Sequence, residues 1–235
     1  MGVFKFRQFD VDDRGCGMKI CSDSVLLGAW VAREYRDART VADVGAGSGV
    51  LALICAQYMT SAKITALELE HDAAQVCHAN FAATPWADRL SVCEGDFTAW
   101  SPKTPPDVII SNPPYFTTGE RSADLSRAGA RHQSSLSYKS LIAKAAGWLA
   151  DDGRLALVSP ADFEPHIVFE AEMAGLKLRR CLFIKTSPAK PPTRILWDFA
   201  RRDGACTSET LAMRDSDGSI SDEYRLLTSE LYLKL

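Results

Sequence analysis

No apolar run in this chain approaches the ~20 residues that a helix needs to cross a membrane. The stretch Met1 to Asp13 mixes charges of both signs and has neither an apolar h-region nor a cleavage site, so no signal peptide is expected. The seven cysteines form no Cys-x-x-Cys pair and the four histidines show no zinc spacing. Free thiols in a reducing cytoplasm are therefore expected, with no metal and no membrane. Internal repeats, low-complexity tracts and a domain linker are also missing. A net charge of -3 argues against a generic polyanion binder. Two nucleotide-binding signatures are absent as well. No glycine loop ends in the Gly-Lys-Ser/Thr of a P-loop, and none has the Gly-x-Gly-x-x-Gly spacing of a dinucleotide site. What remains is a chain of 235 residues, 46% apolar, which is long enough to bury the core of one large α/β domain.

The apolar pattern alternates between short β-branched runs and longer helical ones. Residues 4 to 14 read as a small hairpin strand (Phe4, Phe6, Phe9, Val11), and Gly15-Cys16-Gly17 as a turn. A helix is predicted over about 23 to 35, with Ser22 or Asp23 as N-cap; its free amides suit a carboxylate, although plain capping explains the same residues. Strands follow at Val41–Val44, Lys63–Leu67, Arg89–Cys93, Asp107–Ser111 and Arg154–Ser159. Helices are predicted at Asp72–Phe81, Lys139–Leu149 and 162–175. His71 and His78 are read as solvent-facing. Leu178–Lys185 and Arg194–Ala200 form a hairpin by pattern, and Asp222–Leu231 a last short helix. This alternation predicts a Rossmann-like, doubly wound α/β sheet of seven strands, mostly parallel with an antiparallel C-terminal hairpin. Residues 1–235 are taken as one domain: an N-terminal extension (1–40), a core (41–175), and a basic hairpin with a helix (176–235).

Three carboxyl ends of strands carry groups suited to a nucleoside. After Val41–Val44 comes Gly45-Ala46-Gly47-Ser48-Gly49, with Asp43 two residues ahead. A glycine turn between strand and helix lets backbone approach a cofactor, and a tight βα turn is its plain alternative. Glu68 ends the next strand, about 20 residues beyond the glycines, where an acid can hold both ribose hydroxyls. Glu70 would share its face in an extended chain, and Glu68 is preferred because it comes first. Asp96 follows the third strand and can accept from an exocyclic amine. Phe97 flanks the base or packs in the core.

The fourth strand organises the rest. Val108, Ile109 and Ile110 stop at Ser111-Asn112-Pro113-Pro114, and Tyr115 follows. Prolines cannot continue a ladder, so a stiff loop presents the Asn112 amide, the Pro113 carbonyl and the Tyr115 ring together. A polar insert from Thr117 to Tyr138 is long for a connection and reads as a functional loop. Between Lys177 and Arg202 eight basic residues face only Asp198, a local net charge of +7. That asymmetry suits a nucleic acid or simply a solvated face.

Asp43-Val-Gly-Ala-Gly-Ser-Gly49, Glu68, Asp96-Phe97 and Asn112-Pro-Pro-Tyr115 resemble the signature of class I S-adenosylmethionine-dependent methyltransferases acting on a planar amino nitrogen. The match runs from about residue 41 to 159. A narrower resemblance includes Phe6-Arg-Gln-Phe9, Met18-Lys-Ile-Cys-Ser-Asp-Ser-Val-Leu-Leu-Gly-Ala-Trp30, Pro85-Trp86-Ala87-Asp88-Arg89 and Ala130-Arg131-His132. These stretches are similar to the bacterial family that N6-methylates adenosine 37 of a valine tRNA. The insert and the distal hairpin match it only loosely.

The resemblance implies S-adenosylmethionine as cofactor and tRNA as partner; a cytoplasmic monomer is expected. It places Asp43, Gly45, Gly47 and Gly49 along the methionine and ribose part, with Asp23 at the methionine end. Glu68 goes to the ribose, Asp96 to the adenine amine, and Phe97 beside the ring. Asn112, Pro113 and Tyr115 are the catalytic set, and Asn112 also borders the cofactor. Pro114, Arg131, Lys190 and Arg194 are the expected substrate contacts. Protein-glutamine methyltransferases share the Asn-Pro-Pro-Tyr motif but bring a longer N-terminal helical domain. DNA adenine enzymes add a recognition domain, and guanine-N2 rRNA enzymes carry Asn-Pro-Pro-Phe. A cofactor-binding regulator would not need the intact motif.

Overall fold

A computed structural model describes residues 2–114 and 136–234. Most of the expected insert, with Tyr115 and Arg131, lies outside the described residues. Among the described residues ten strands and six helices follow in chain order: β1 (Val3–Lys5), β2 (Asp10–Asp12), α1 (Ser22–Glu34), β3 (Thr40–Val44), α2 (Val50–Tyr58), β4 (Lys63–Glu68), α3 (His71–Ala82), β5 (Leu90–Glu94), β6 (Val108–Ser111), α4 (Tyr138–Trp148), β7 (Arg154–Pro160), α5 (Glu164–Met173), β8 (Lys177–Lys185), β9 (Pro192–Ala200), β10 (Thr207–Ala212) and α6 (Asp222–Thr228). β1 and β2 pair antiparallel on their own. The others form one sheet in the order β10-β8-β9-β7-β6-β3-β4-β5.

Side-chain alternation explains why this sheet is covered on both faces. In β6, Val108 and Ile110 enter one core with α1, α2, α3 and α6, while Ile109 enters the other with α4 and α5. In β7, Ala156 and Val158 join the first core, and Leu155 and Leu157 the second. Two-sided burial makes these strands continuous apolar runs, which is how they stand out in the sequence. The seams are polar at their starts: Asp107 Oδ2 accepts from the amides of Arg39 (2.7 Å) and Thr40 (3.0 Å), setting β6 beside β3.

The sheet has eight strands, one more than expected. β10 runs parallel to β8 at the edge, beyond the antiparallel β8–β9 hairpin. Its sequence, Thr-Ser-Glu-Thr-Leu-Ala, buries only Leu211, so an edge strand of this kind carries almost no apolar signal. Helix α1 starts at Cys21 as N-cap, with no side-chain cap. Asp23, an expected cap, is drawn instead to Arg194 of β9, because an ion pair with that guanidinium outweighs a local bond to an amide.

Pro85-Trp86-Ala87-Asp88-Arg89 has a structural role. The Arg89 guanidinium donates to the carbonyls of Ala56, Met59 (3.1 Å) and Ala62 (3.2 Å), at the end of α2 and the turn that follows it, and it lies 5.9 Å from the centre of the Trp86 ring. Replacing it leaves buried carbonyls without donors. Arg89→Met is expected to lower unfolding stability by about 2–3 kcal/mol in urea titrations.

Candidate active site at the carboxyl edge of the sheet

After β3 the chain winds outward through β4 and β5, then returns to β6 on the other side of β3. That reversal opens a crevice beyond the carboxyl ends of β3 and β6, where ligands of doubly wound sheets sit. Asp43 pairs with Ile110 in register, so Gly45 and Asn112 each stand two residues further on, side by side at its mouth.

On the β3 side the turn is built by three glycines at positive φ: Gly45 (72°), Gly47 (54°) and Gly49 (79°). Two of them have distinct reasons. A Cβ on Gly49 would meet Phe81 Cε1 at 2.6 Å and Cys77 Sγ at 2.7 Å, so the turn is packed against α3. A Cβ on Gly47 would meet nothing within 4 Å, so the backbone there faces open space. Glu68, only 8% exposed, reaches this turn from the end of β4. Its Oε2 accepts from the Gly47 amide at 2.7 Å and its Oε1 from the Glu70 amide at 2.9 Å. Glu68 thus reaches the glycine turn, and Glu70 meets the Glu68 carboxylate through its backbone amide. Asp96 is half-buried after β5, its carboxylate accepting from the Thr98 amide at 2.8 Å. Phe97 is buried in the α4 core, edge-on to Trp148 at 6.3 Å.

Asp43 lies fully buried beneath the turn; Oδ2 accepts from the Ala52 amide at 3.0 Å, and Oδ1 has no hydrogen-bond partner among the described residues. Burial pushes its carboxyl from the ordinary 3.8 up to about 7, against the lowering effect of the Ala52 bond. The folded chain then holds a proton that the unfolded chain releases, so this part of the stability is full below about pH 4 and lost as pH rises through 7. Burial also raises Asp198, which adds a slope of the same sign. Asp43→Asn should flatten the fall in stability between pH 4 and 7 by up to about 4 kcal/mol, read from urea midpoints across that range. An unchanged slope would place the titrating group elsewhere.

On the β6 side, Ser111 Oγ donates to the Val44 carbonyl at 2.7 Å and locks the strand end to β3. Asn112 is 6% exposed, Pro113 is buried and Pro114 half-buried. The Asn112 Nδ2 donates to Ser24 Oγ of α1 at 2.9 Å, with Met18 Sδ at 3.6 Å and Cys21 Sγ at 3.7 Å. Two of the remaining expected residues meet each other: Arg194 Nε donates to Asp23 Oδ2 at 2.8 Å. Lys190 is exposed in the turn between β8 and β9, which projects from the same edge as Asn112 because β8 runs parallel to the core strands.

Residues not anticipated also build this edge. Asn80 of α3 acts as a clamp: its Oδ1 accepts from the Asp12 amide (2.9 Å), and its Nδ2 donates to the carbonyls of Asp12 (2.8 Å) and Ser48 (2.9 Å). It thereby ties β2 to the glycine turn. The signal was an amide on the apolar face of a helix, beside Cys77 and Phe81. Ser24 carried a weaker signal, a lone hydroxyl entering an apolar run. A separate cavity of about 330 Å³, between Phe4, Met213, Tyr224 and Tyr232, contains none of these residues.

A glycine turn at the switch point, an acid at the next strand end and an Asn-Pro-Pro corner on the returning strand define a class I methyltransferase. Comparison with known proteins agrees. The methyltransferase small domain family matches residues 16–178. A tRNA1(Val) (adenine(37)-N6)-methyltransferase of Shewanella amazonensis is 40% identical over 99% of both chains. One of Vibrio campbellii is 37% identical over 99% of this chain and 96% of its own. The crystal structure of an Agrobacterium tumefaciens protein, described as a predicted O-methyltransferase, superposes with a TM-score of 0.69 at 20% identity, over 88% of this chain and 96% of that one. The chain belongs to the family of tRNA1(Val) (adenine(37)-N6)-methyltransferases.

The methyl donor of this family is S-adenosylmethionine. The residues present fit it: the open space over Gly47 admits a ligand against backbone, and the nearly buried Glu68 carboxylate stands at that space ready to accept hydroxyl donors.

Proposed function

We propose that this chain transfers a methyl group to the exocyclic N6 of an adenine in tRNA, at adenosine 37 of a valine tRNA, in the cytoplasm. The observation that carries this reading is the Asn112 carboxamide, gripped through Nδ2 at the corner beside the glycine turn. The names of its full-length relatives support the substrate.

S-adenosylmethionine supplies an electrophilic methyl group on a sulfonium when bound. Gly45, Gly47 and Gly49 line its methionine and ribose side, with the buried Asp43 supporting the turn from beneath; Glu68 holds the ribose hydroxyls, and Asp96 borders the adenine with Phe97 packed behind it. Asp23 acts at the methionine end through its place in the first turn of α1. An adenine amine is a poor nucleophile because its lone pair is delocalised into the ring. Asn112 Oδ1 and the Pro113 carbonyl each accept one of its N–H groups. This localises the lone pair and aims it in line with the methyl, so positioning supplies much of the rate. Positive charge gathering on the nitrogen is stabilised by the same two oxygens. Tyr115 stacks on the extruded base and Pro114 walls it. The nitrogen sheds its proton after transfer, so no strong base is required beforehand.

Lys190 and Arg131 contact the phosphate backbone in this reading. Arg194 contributes from its position beside Asp23. Purified protein given tritiated S-adenosylmethionine with total tRNA, ribosomal RNA, duplex DNA and a release-factor preparation should label tRNA alone, as N6-methyladenosine. Label recovered as methylglutamine in protein would overturn the substrate while leaving the fold and cofactor sites intact.

A further inference from the structure

We propose that Ser24 is a positioning residue for catalysis: beside the acceptor-only sulfur of Met18, its hydroxyl holds the Asn112 carboxamide by Nδ2, the orientation that turns Oδ1 toward the target amine. The inference rests on the catalytic role given to Asn112 above.

A carboxamide has two ends of nearly equal shape and opposite hydrogen-bonding character. With Oδ1 toward the target, it accepts an amine N–H. Turned over, Nδ2 would meet the amine donor to donor, and the lone pair would stay in the ring. The terminal torsion of asparagine is broad and roughly two-fold, so the residue's own rotamer does not choose between them. Its surroundings must.

Those surroundings come from the start of α1. Ser24 Oγ lies 2.9 Å from Nδ2, and two sulfurs, Met18 Sδ and Cys21 Sγ, lie at 3.6 and 3.7 Å. A hydroxyl can serve either end of the amide, but a thioether only accepts, so the Met18 sulfur disfavours the reversed amide and the Ser24 hydroxyl holds the orientation that remains. Ser24 and Asn112 are each 6% exposed, which leaves little water to substitute for the missing partner. The Ser24 hydroxyl, accepting from Asn112, has Cys21 Sγ at 3.8 Å as an outlet for its own proton. The grip is itself anchored. Residues 24 to 32 of α1 are all buried, and the neighbouring Asp23 is tied to Arg194 on β9. Two elements 88 residues apart in sequence thus set one functional group.

The test compares the isosteric pair Ser24→Thr and Ser24→Val, with Ser24→Ala, on an unmodified valine tRNA transcript. Cofactor affinity and melting temperature are measured alongside. Ser24→Thr keeps the acceptor and should retain most of kcat. Ser24→Val and Ser24→Ala should lose at least about tenfold in kcat, with the Kd for S-adenosylmethionine within twofold of wild type. A Val variant as active as the Thr variant overturns the proposal, as does a Ser24→Ala enzyme with kcat within twofold of wild type. Because Thr and Val fill the same volume, a packing defect from the larger side chain lowers both alike, and the ratio between them still reads the hydroxyl. Asn112→Ala in the same assay separates the two levels. If it stays active, the catalytic reading has failed; if it is dead while Ser24→Ala is fully active, only the role of Ser24 falls.

Discussion

Asn112→Ala is expected to reduce methyl transfer by about a thousandfold or more while the protein still binds S-adenosylmethionine. The two parts of this expectation come from different features of the site. Asn112 stands on the β6 side of the crevice, and its Nδ2 is directed into α1. The glycine turn and Glu68 occupy the β3 and β4 side and bond to each other without it. Truncating Asn112 therefore removes an acceptor for the target amine and leaves the cofactor cradle standing. Loss of a single preorganised partner to developing charge costs about 10²–10³ in comparable sites, and here the same group also localises the lone pair. Single-turnover transfer of tritiated methyl, beside equilibrium dialysis of the cofactor, would show the separation. Turnover near the wild-type rate would refute the mechanism outright, whatever happened to binding. The buried Ser24 hydroxyl would lose its partner, so a stability cost of about 1 kcal/mol should accompany the substitution.

The opposite split is expected for Glu68→Ala. Its carboxylate is a charged acceptor at the open face of Gly47, and in the proposed role two ribose hydroxyls would each add a charge-assisted bond to it. Losing them, together with the acceptors of the Gly47 and Glu70 amides, should weaken S-adenosylmethionine binding by about a hundredfold, or about 3 kcal/mol. At saturating cofactor, kcat should change only a few-fold, because Glu68 does not touch the target amine. Glu68→Gln keeps an oxygen for the Gly47 amide but loses the charge, and should fall between. Isothermal titration of all three proteins orders them, and a Kd for the Ala variant within threefold of wild type would remove Glu68 from the ribose.

Much of this site is legible along the chain because it is assembled from strand ends. Each of β3, β4 and β6 is a short apolar run, and the polar residue that closes it falls at the carboxyl edge wherever the strand lies in the sheet. The placement of Asp43, Gly45, Gly47, Glu68 and Asn112 at or near that edge is readable on that ground. The basic segment is not. Its eight cations form one cluster in sequence, but strands of about nine residues carry their ends about 30 Å apart. Arg179 and Arg201 sit at the amino edge on backbone carbonyls, Arg202 beside them on Asp152, and Arg180 lies over Trp30 beside Glu34. Lys185, Lys190 and Arg194 stand at the carboxyl edge with Asn112.

The sequence by itself determined the alternation of strands and helices, the glycine turn, the acid after the next strand and the Asn-Pro-Pro corner, because each is a local pattern set by nearest neighbours and side-chain period. The tertiary structure alone decided that Asp23 pairs with Arg194, that Asn80 clamps β2 to the glycine turn, that β10 extends the sheet, and that Ser24 grips Asn112. These pairings join residues 27 to 171 positions apart. No periodicity encodes such a partner, since it is chosen only when the sheet order brings distant strand and helix ends to the same edge.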